Sequence, residues 1–180
     1  MIDLAGIFKM ACGDVQSDIN EHLPTLLKYG RMVDHITELG VRGGCSTLAW
    51  WYAEPKTLRC YDIADCNAHD VLMREVKGAD EFDYKFIQAD VLGIEIEETD
   101  LLFIDTYHTY TQLSKELFLH GNKSRRYLIF HDTATFGLRG EDYKTPGIMA
   151  AIYEFILKNP HWLIGEVFTN NNDLLVLQKV

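Results

Sequence analysis

Short apolar runs recur along this chain at His35–Val41, Thr57–Ile63, Tyr84–Ala89, Asp100–Asp105 and Tyr127–His131, with stretches of helical spacing between them. Strands that alternate with helical patterns predict βαβ units and a parallel sheet. In Leu101–Ile104 and Tyr127–Phe130 the apolar residues are successive rather than alternate, which predicts central strands covered on both faces. The pattern changes near the C-terminus. Trp162–Phe168 and Leu174–Gln178 are joined only by Thr169–Asn170–Asn171–Asn172–Asp173, a turn-forming string too short for a parallel crossover, so the last two strands are expected to form an antiparallel hairpin.

Two helices stand out beside the strands. Ile19, Leu23, Leu26 and Leu27 fall at helical spacing within Ser17–Tyr29, with Ser17 in position to cap. A second helix is expected from Pro146 to about Lys158, burying Ile148, Ile152, Phe155 and Ile156, with Pro160 beyond its end. Before it lies the one long irregular stretch, Ala134–Thr145, rich in glycine and charge. Such a loop is either a lid over a site or a surface excursion. The 180 residues suit one domain, read as a helical lead-in over 1–34 and an α/β core over 35–180.

Composition narrows the partners. The formal net charge is −10, which repels phosphate backbones and anionic lipid, so a small molecule or a protein is expected as partner rather than nucleic acid or a membrane. Cys12, Cys45, Cys60 and Cys66 have neither CxxC nor metal-finger spacing and read as reduced thiols. Met1–Phe8 lacks a basic leader with an apolar stretch, and no run of ~18 apolar residues occurs. A cytoplasmic location is the expectation.

Ligands of open parallel sheets bind outside the carboxyl ends of the strands, and polar residues gather there. The first strand runs into Glu38–Leu39–Gly40–Val41–Arg42–Gly43–Gly44–Cys45–Ser46, with a helix beginning near Thr47. Glycines at 40 and 44 permit a sharp turn and close approach of a ligand to the backbone. By itself such a turn also serves as a plain strand-to-helix connection. It is neither the dinucleotide fingerprint, because Arg42 stands at the place of the second glycine, nor a P-loop, because Gly-Lys-Ser/Thr is missing. Glu38 argues for a cationic or amino-bearing ligand. Asp62, about 20 residues beyond the turn, is placed to accept from ribose hydroxyls. Asp90 ends the third strand, Asp105 the fourth, and His131–Asp132 the fifth.

With these residues in view the chain resembles class I S-adenosylmethionine-dependent methyltransferases. The carriers are Glu-Leu-Gly-Val-Arg-Gly-Gly-Cys-Ser, the Ile-Asp-Thr-Tyr-His-Thr-Tyr after strand four, the Phe-His-Asp-Thr of strand five and the late Phe-Thr-Asn-Asn-Asn. Within that superfamily they are most similar to the cephalosporin hydroxylase-like and macrocin O-methyltransferase-like branch, over roughly residues 17 to 179. The resemblance implies a Rossmann-like, mostly parallel seven-stranded sheet with helices on both faces. It implies Glu38, Gly40 and Gly44, with Ser46 beside them, around the methionine part of S-adenosylmethionine, Asp62 at the ribose and Asp90 at the adenine, with Asp105 bordering the cofactor. It also implies a divalent ion, magnesium or manganese, held by Asp105, His131 and Asp132. The histidine departs from the branch's acidic pair and suits manganese or zinc better than magnesium.

Methyl transfer to a hydroxyl needs an in-line nucleophile and a proton acceptor. The residues expected to supply them are Asp105, His108 and His131, with Asp132 as metal ligand or loop cap. Each histidine is otherwise a hydrogen-bonded structural residue. His22 either reaches the cleft or lies on a surface helix, the latter favoured. Tyr107 and Tyr110 flank the acceptor pocket or cover the following helix. The acceptor is expected to be a small-molecule or sugar hydroxyl, in a shallow pocket or one completed by a second subunit of a homo-oligomer. Two rival readings are a non-catalytic S-adenosylmethionine-binding module and a nicotinamide-dependent oxidoreductase, the latter disfavoured by Arg42 and Glu38.

Overall fold

The computed structural model describes residues 3–66 and 83–180. Seven strands form one sheet: β1 (His35–Leu39), β2 (Thr57–Asp62), β3 (Asp83–Gln88), β4 (Thr99–Ile104), β5 (Ser124–His131), β6 (Trp162–Phe168) and β7 (Leu174–Lys179). Their order is β3-β2-β1-β4-β5-β7-β6. Neighbours from β3 to β5 pair in parallel, whereas β7 is antiparallel to both β5 and β6. The five-residue turn explains this: a parallel return needs a crossover it is too short to make. The crossover between β2 and β3 falls largely outside the described residues.

Side chains of the central strands alternate between two cores. Ile36, Leu101, Phe103, Ile129 and Val176 face one, which is covered by α1 (Leu4–Cys12), α2 (Leu23–Gly30) and α3 (Cys45–Ala53). Leu102, Ile104, Leu128, Phe130 and Leu175 face the other, under α4 (Tyr110–His120) and α5 (Ile148–Lys158). The successive apolar residues of β4 and β5 therefore serve two buried faces, as helices on both sides require.

Three expectations change in detail. The lead-in is a short 3-10 turn, Asn20–His22, followed by α2, and Ser17 does not cap it; Ser17 Oγ instead accepts from the Ile19 amide at 3.3 Å and lies 3.5 Å from Cys45 Sγ. Pro146 lies outside α5, which begins at Ile148 after Gly147 in extended backbone. The proline carbonyl instead accepts from the Tyr110 amide. Helix α1 was not anticipated, although Leu4, Ile7, Phe8 and Ala11 carry helical spacing and pack on the first core. The four cysteines are free thiols. Among the described residues no helix is long and apolar enough to cross a membrane.

Candidate functional site

A cavity of about 780 Å³ opens at the carboxyl ends of β1 to β5, and Gly40, Asp62, Asp90, Asp105, His108 and Asp132 are among its lining residues. Chain direction around the sheet reverses at β1 and β4, so the strand ends diverge there and leave a crevice.

The β1 turn is built for close approach. Gly40 has φ of +90°, and a Cβ there would sit 2.0 Å from the Asp105 carbonyl oxygen. Arg42 and Gly44 also take left-handed backbone. The amides of Val41 and Arg42 donate to Asp62 Oδ2 at 2.8 and 2.9 Å, and that of Ala64 to Oδ1 at 2.8 Å. Burial pushes the Asp62 pKa up, but these backbone donors outweigh it and hold the carboxylate below its usual range. Asp62 thus fixes the turn and borders the cavity at once. Asp90 is exposed beside it.

Glu38 and Ser46 turn out to have another task. Glu38 is fully buried and does not line the cavity. It accepts from Ser46 Oγ and Thr47 Oγ1, each at 2.6 Å, and from Trp50 Nε1 at 3.1 Å. Burial raises its pKa to about 7 despite these donors, because none carries a charge. The direct ligand contact expected of Glu38 and Ser46 is thereby corrected: their polar atoms are spent on each other, tying β1 to the first turn of α3. Gly44 caps that helix and is likewise outside the lining.

The other end of the cavity is a charged cluster. His108 Nε2 lies 3.1 Å from Asp105 Oδ1 and 3.3 Å from Asp132 Oδ2, while its Nδ1 donates to Glu141 Oε2 at 3.0 Å. His131 Nδ1 faces the same two oxygens at 3.6 and 3.5 Å, and its Nε2 bonds the Asp18 carbonyl at 3.0 Å. Burial disfavours charge on both rings, but the carboxylates win: the His108 pKa is raised, and that of His131 reaches about 10. For Asp105, burial acts upward and the two imidazoles pull its pKa far below the usual range. Asp132 adopts left-handed backbone with φ of +59°, and its Oδ1 is buried with no hydrogen-bond partner. Asp105, His131 and Asp132 bring ligand atoms within 4.8 Å of one another.

Sequence reasoning missed Glu141, which stands in the irregular Ala134–Thr145 stretch. That stretch is held to the site: Arg139 bridges Pro146, Phe136 stacks on His108 with centroids 5.0 Å apart, the Glu141 amide donates to the His108 carbonyl, and the His108 amide donates to Glu141 Oε2. The only signal was the loop's length and charge. His22 is not on the surface. It is 1% exposed and bonds the carbonyls of Asn170 and Asn171 at 2.9 and 3.1 Å, pinning the lead-in to the β6–β7 turn. Tyr107 lines the cavity, whereas the Tyr110 hydroxyl donates to Glu154 on α5.

No family model and no curated protein matches the chain. Solved structures do. Magnesium protoporphyrin IX methyltransferase from Synechocystis, with bound S-adenosylmethionine, aligns with a TM-score of 0.69 at 14% identity, over 93% of this chain and 84% of that one. An O-methyltransferase from Bacillus cereus bound to S-adenosylhomocysteine aligns at 0.67 and 14%, over 98% and 89%. A Podospora anserina methyltransferase, also bound to S-adenosylhomocysteine, gives 0.68 and 12%, over 100% and 89%. The chain has the class I methyltransferase fold. In this methyltransferase fold the glycine turn after β1 and the acidic ends of β2 and β3 stand at one end of the crevice, and the histidine–aspartate cluster at the other.

Proposed function

We propose that the protein is an S-adenosylmethionine-dependent methyltransferase that methylates a hydroxyl of a small molecule or sugar, working as one domain over residues 1–180. The observation that carries this reading is the cavity itself, with the Gly40 turn and the Asp62 and Asp90 carboxylates on one side and the Asp105–His108–Asp132 wall on the other. The similar structures with bound cofactor or its demethylated product support it.

In this reading Asp62 accepts from the ribose hydroxyls with lone pairs that its three amide donors leave free, and Asp90 reads the adenine. The Gly40 backbone lies against the methionine part. The Asp105 carboxylate borders both ends of the cavity and favours a sulfonium cation held between them. His108 has both ring nitrogens engaged by carboxylates, so it acts with His131 in balancing charge rather than as a free base. Asp132 borders the cavity although its Oδ1 is buried without a partner; its carboxylate receives the hydrogen bond of the substrate hydroxyl and takes its proton as the methyl leaves the sulfonium. The donor set of Asp105, His131 and Asp132, with that unpartnered oxygen, fits a divalent ion. When bound, such an ion would lower the pKa of the substrate hydroxyl.

Calorimetric titration with S-adenosylmethionine, S-adenosylhomocysteine and NAD tests the reading. Binding of the first two in the micromolar range, weakened more than about tenfold by Asp62→Ala, is expected. Failure of both to bind, or tighter binding of NAD, would sink it.

A further inference from the structure

We infer that one corner of the cavity, formed by Asp18, Arg42 and Asn172, holds the α-amino acid group of the cofactor, with Asp18 taking its ammonium and Arg42 and Asn172 its carboxylate. The inference rests on the S-adenosylmethionine reading and deepens it. Side chains that the resemblance set around the methionine part do not meet it: Glu38 is buried and held by Ser46, Thr47 and Trp50, and Gly44 caps a helix outside the lining. Gly40 offers only backbone. The two charged groups at the end of the methionine part therefore need partners from elsewhere.

Three segments far apart in sequence meet at this corner. Arg42 Nη1 donates to Asp18 Oδ2 at 3.2 Å, which ties the turn after β1 to the lead-in. The Ser17 carbonyl accepts from Asn171 Nδ2 at 3.4 Å, which ties the lead-in to the β6–β7 turn. Asp18, Arg42 and Asn172 all line the cavity, as do Gly40 and Val41 of the same glycine turn.

Charge selects this corner. The other carboxylates of the lining are Asp62, Asp90, Asp105, Asp132 and Glu141, and Arg42 is the one lysine or arginine among the described lining residues. A ligand carboxylate set anywhere else would face like charge, so it belongs beside Arg42. Arg42 and Asp18 together complement a group that carries ammonium and carboxylate on one carbon. Their own pair is weak, with side chains 89% and 47% exposed, and opening it for a ligand costs little.

Asn172 gives an independent sign. Its two neighbours in the turn spend their amides on the lead-in: Asn170 Nδ2 donates to Glu21 Oε2, while Asn171 accepts from the Glu21 amide at 3.3 Å and donates to Ser17. The Asn172 amide group bonds nothing among the described residues, and it is the member of the three that lines the cavity. Asn171, Asn172 and Asp173 take φ of +46°, +68° and +70° in succession without a glycine, although glycine adopts that backbone more freely. The side chain of Asn172 does nothing for the turn; its donor serves the cavity.

The test is calorimetry on the full chain with S-adenosylhomocysteine and with 5′-methylthioadenosine, the nucleoside that lacks the amino acid group. Arg42→Ala and Asn172→Gly should each weaken S-adenosylhomocysteine about tenfold, with 5′-methylthioadenosine unchanged within about twofold. Asp18→Asn should also weaken only the first. Asn172→Gly should leave the urea midpoint of unfolding as high as the parent's or higher, which separates lost binding from lost structure. Variants that bind S-adenosylhomocysteine as tightly as the parent, or that lose both ligands equally, would overturn the inference. Binding of neither ligand by the parent would instead remove the methyltransferase reading, and this assignment with it.

Discussion

The ends of β1 and β4 lie side by side, with Leu39 paired to Ile104, and each carries a carboxylate withdrawn from bulk water. They behave in opposite ways. Glu38, among neutral donors, has its pKa raised to about 7, whereas Asp105, between two imidazoles, is held far below the usual carboxylate range. Hydrogen bonds from uncharged groups do not compensate burial; two facing imidazoles, whose own pKa values are raised in turn, more than do. The difference separates a structural carboxylate from one that keeps its charge where a ligand can meet it.

The sharpest way to break this comparison is to push the two ends apart. Gly40→Ala drives a Cβ into the Asp105 carbonyl in left-handed backbone and should cost about 4 kcal/mol or more in denaturant unfolding. A variant within about 1 kcal/mol of the parent would show that the turn yields easily.

Asp105→Asn removes the shared anion and should cost about 3–5 kcal/mol near pH 6, with the His131 pKa falling from about 10 in NMR titration. The pH behaviour follows from the directions of shift. Asp105 is depressed, so its contribution is complete above about pH 4 and is lost in acid. His108 and His131 are raised, so theirs is complete below about pH 6.5 and is lost as pH climbs.

Glu38 has the dependence contrary to that of Asp105. Its raised pKa means that the folded state holds a proton the unfolded chain has released, so stability declines as pH rises from about 4.5 to 7, by up to about 3 kcal/mol. Glu38→Gln should flatten melting temperature across that window, and an undiminished slope would place the titration elsewhere. The smallest effect is expected of Arg42→Ala. Its ion pair with Asp18 is largely solvent-exposed, so stability should change by less than about 0.5 kcal/mol, and a larger loss would show that the Arg42 side chain helps hold the turn.

Much of the frame was legible along the chain because strand period and turn length are local properties. The five parallel strands, the antiparallel hairpin and the Gly40 turn follow from apolar spacing, a five-residue connection and glycine placement. The strand ends pointed to Asp62, Asp90, Asp105 and Asp132, and these four do line one cavity. Helix α1 was legible too, in Leu4, Ile7, Phe8 and Ala11, but short helices carry a weak signal against their flanks.

Where each polar side chain points was decided only by tertiary structure. Glu38 ends the same strand as the glycine turn, yet its side chain faces α3 and is consumed by Ser46, Thr47 and Trp50. His22 looked like part of a surface helix until the β6–β7 turn covered it. Glu141 is 33 residues from His108 and no period links them; the excursion after β5 brings them together. Sequence spacing determines which residues reach a strand end, because backbone geometry is local. Which of them keep a charge there depends on partners from distant segments, since desolvation and its compensation belong to the packed state.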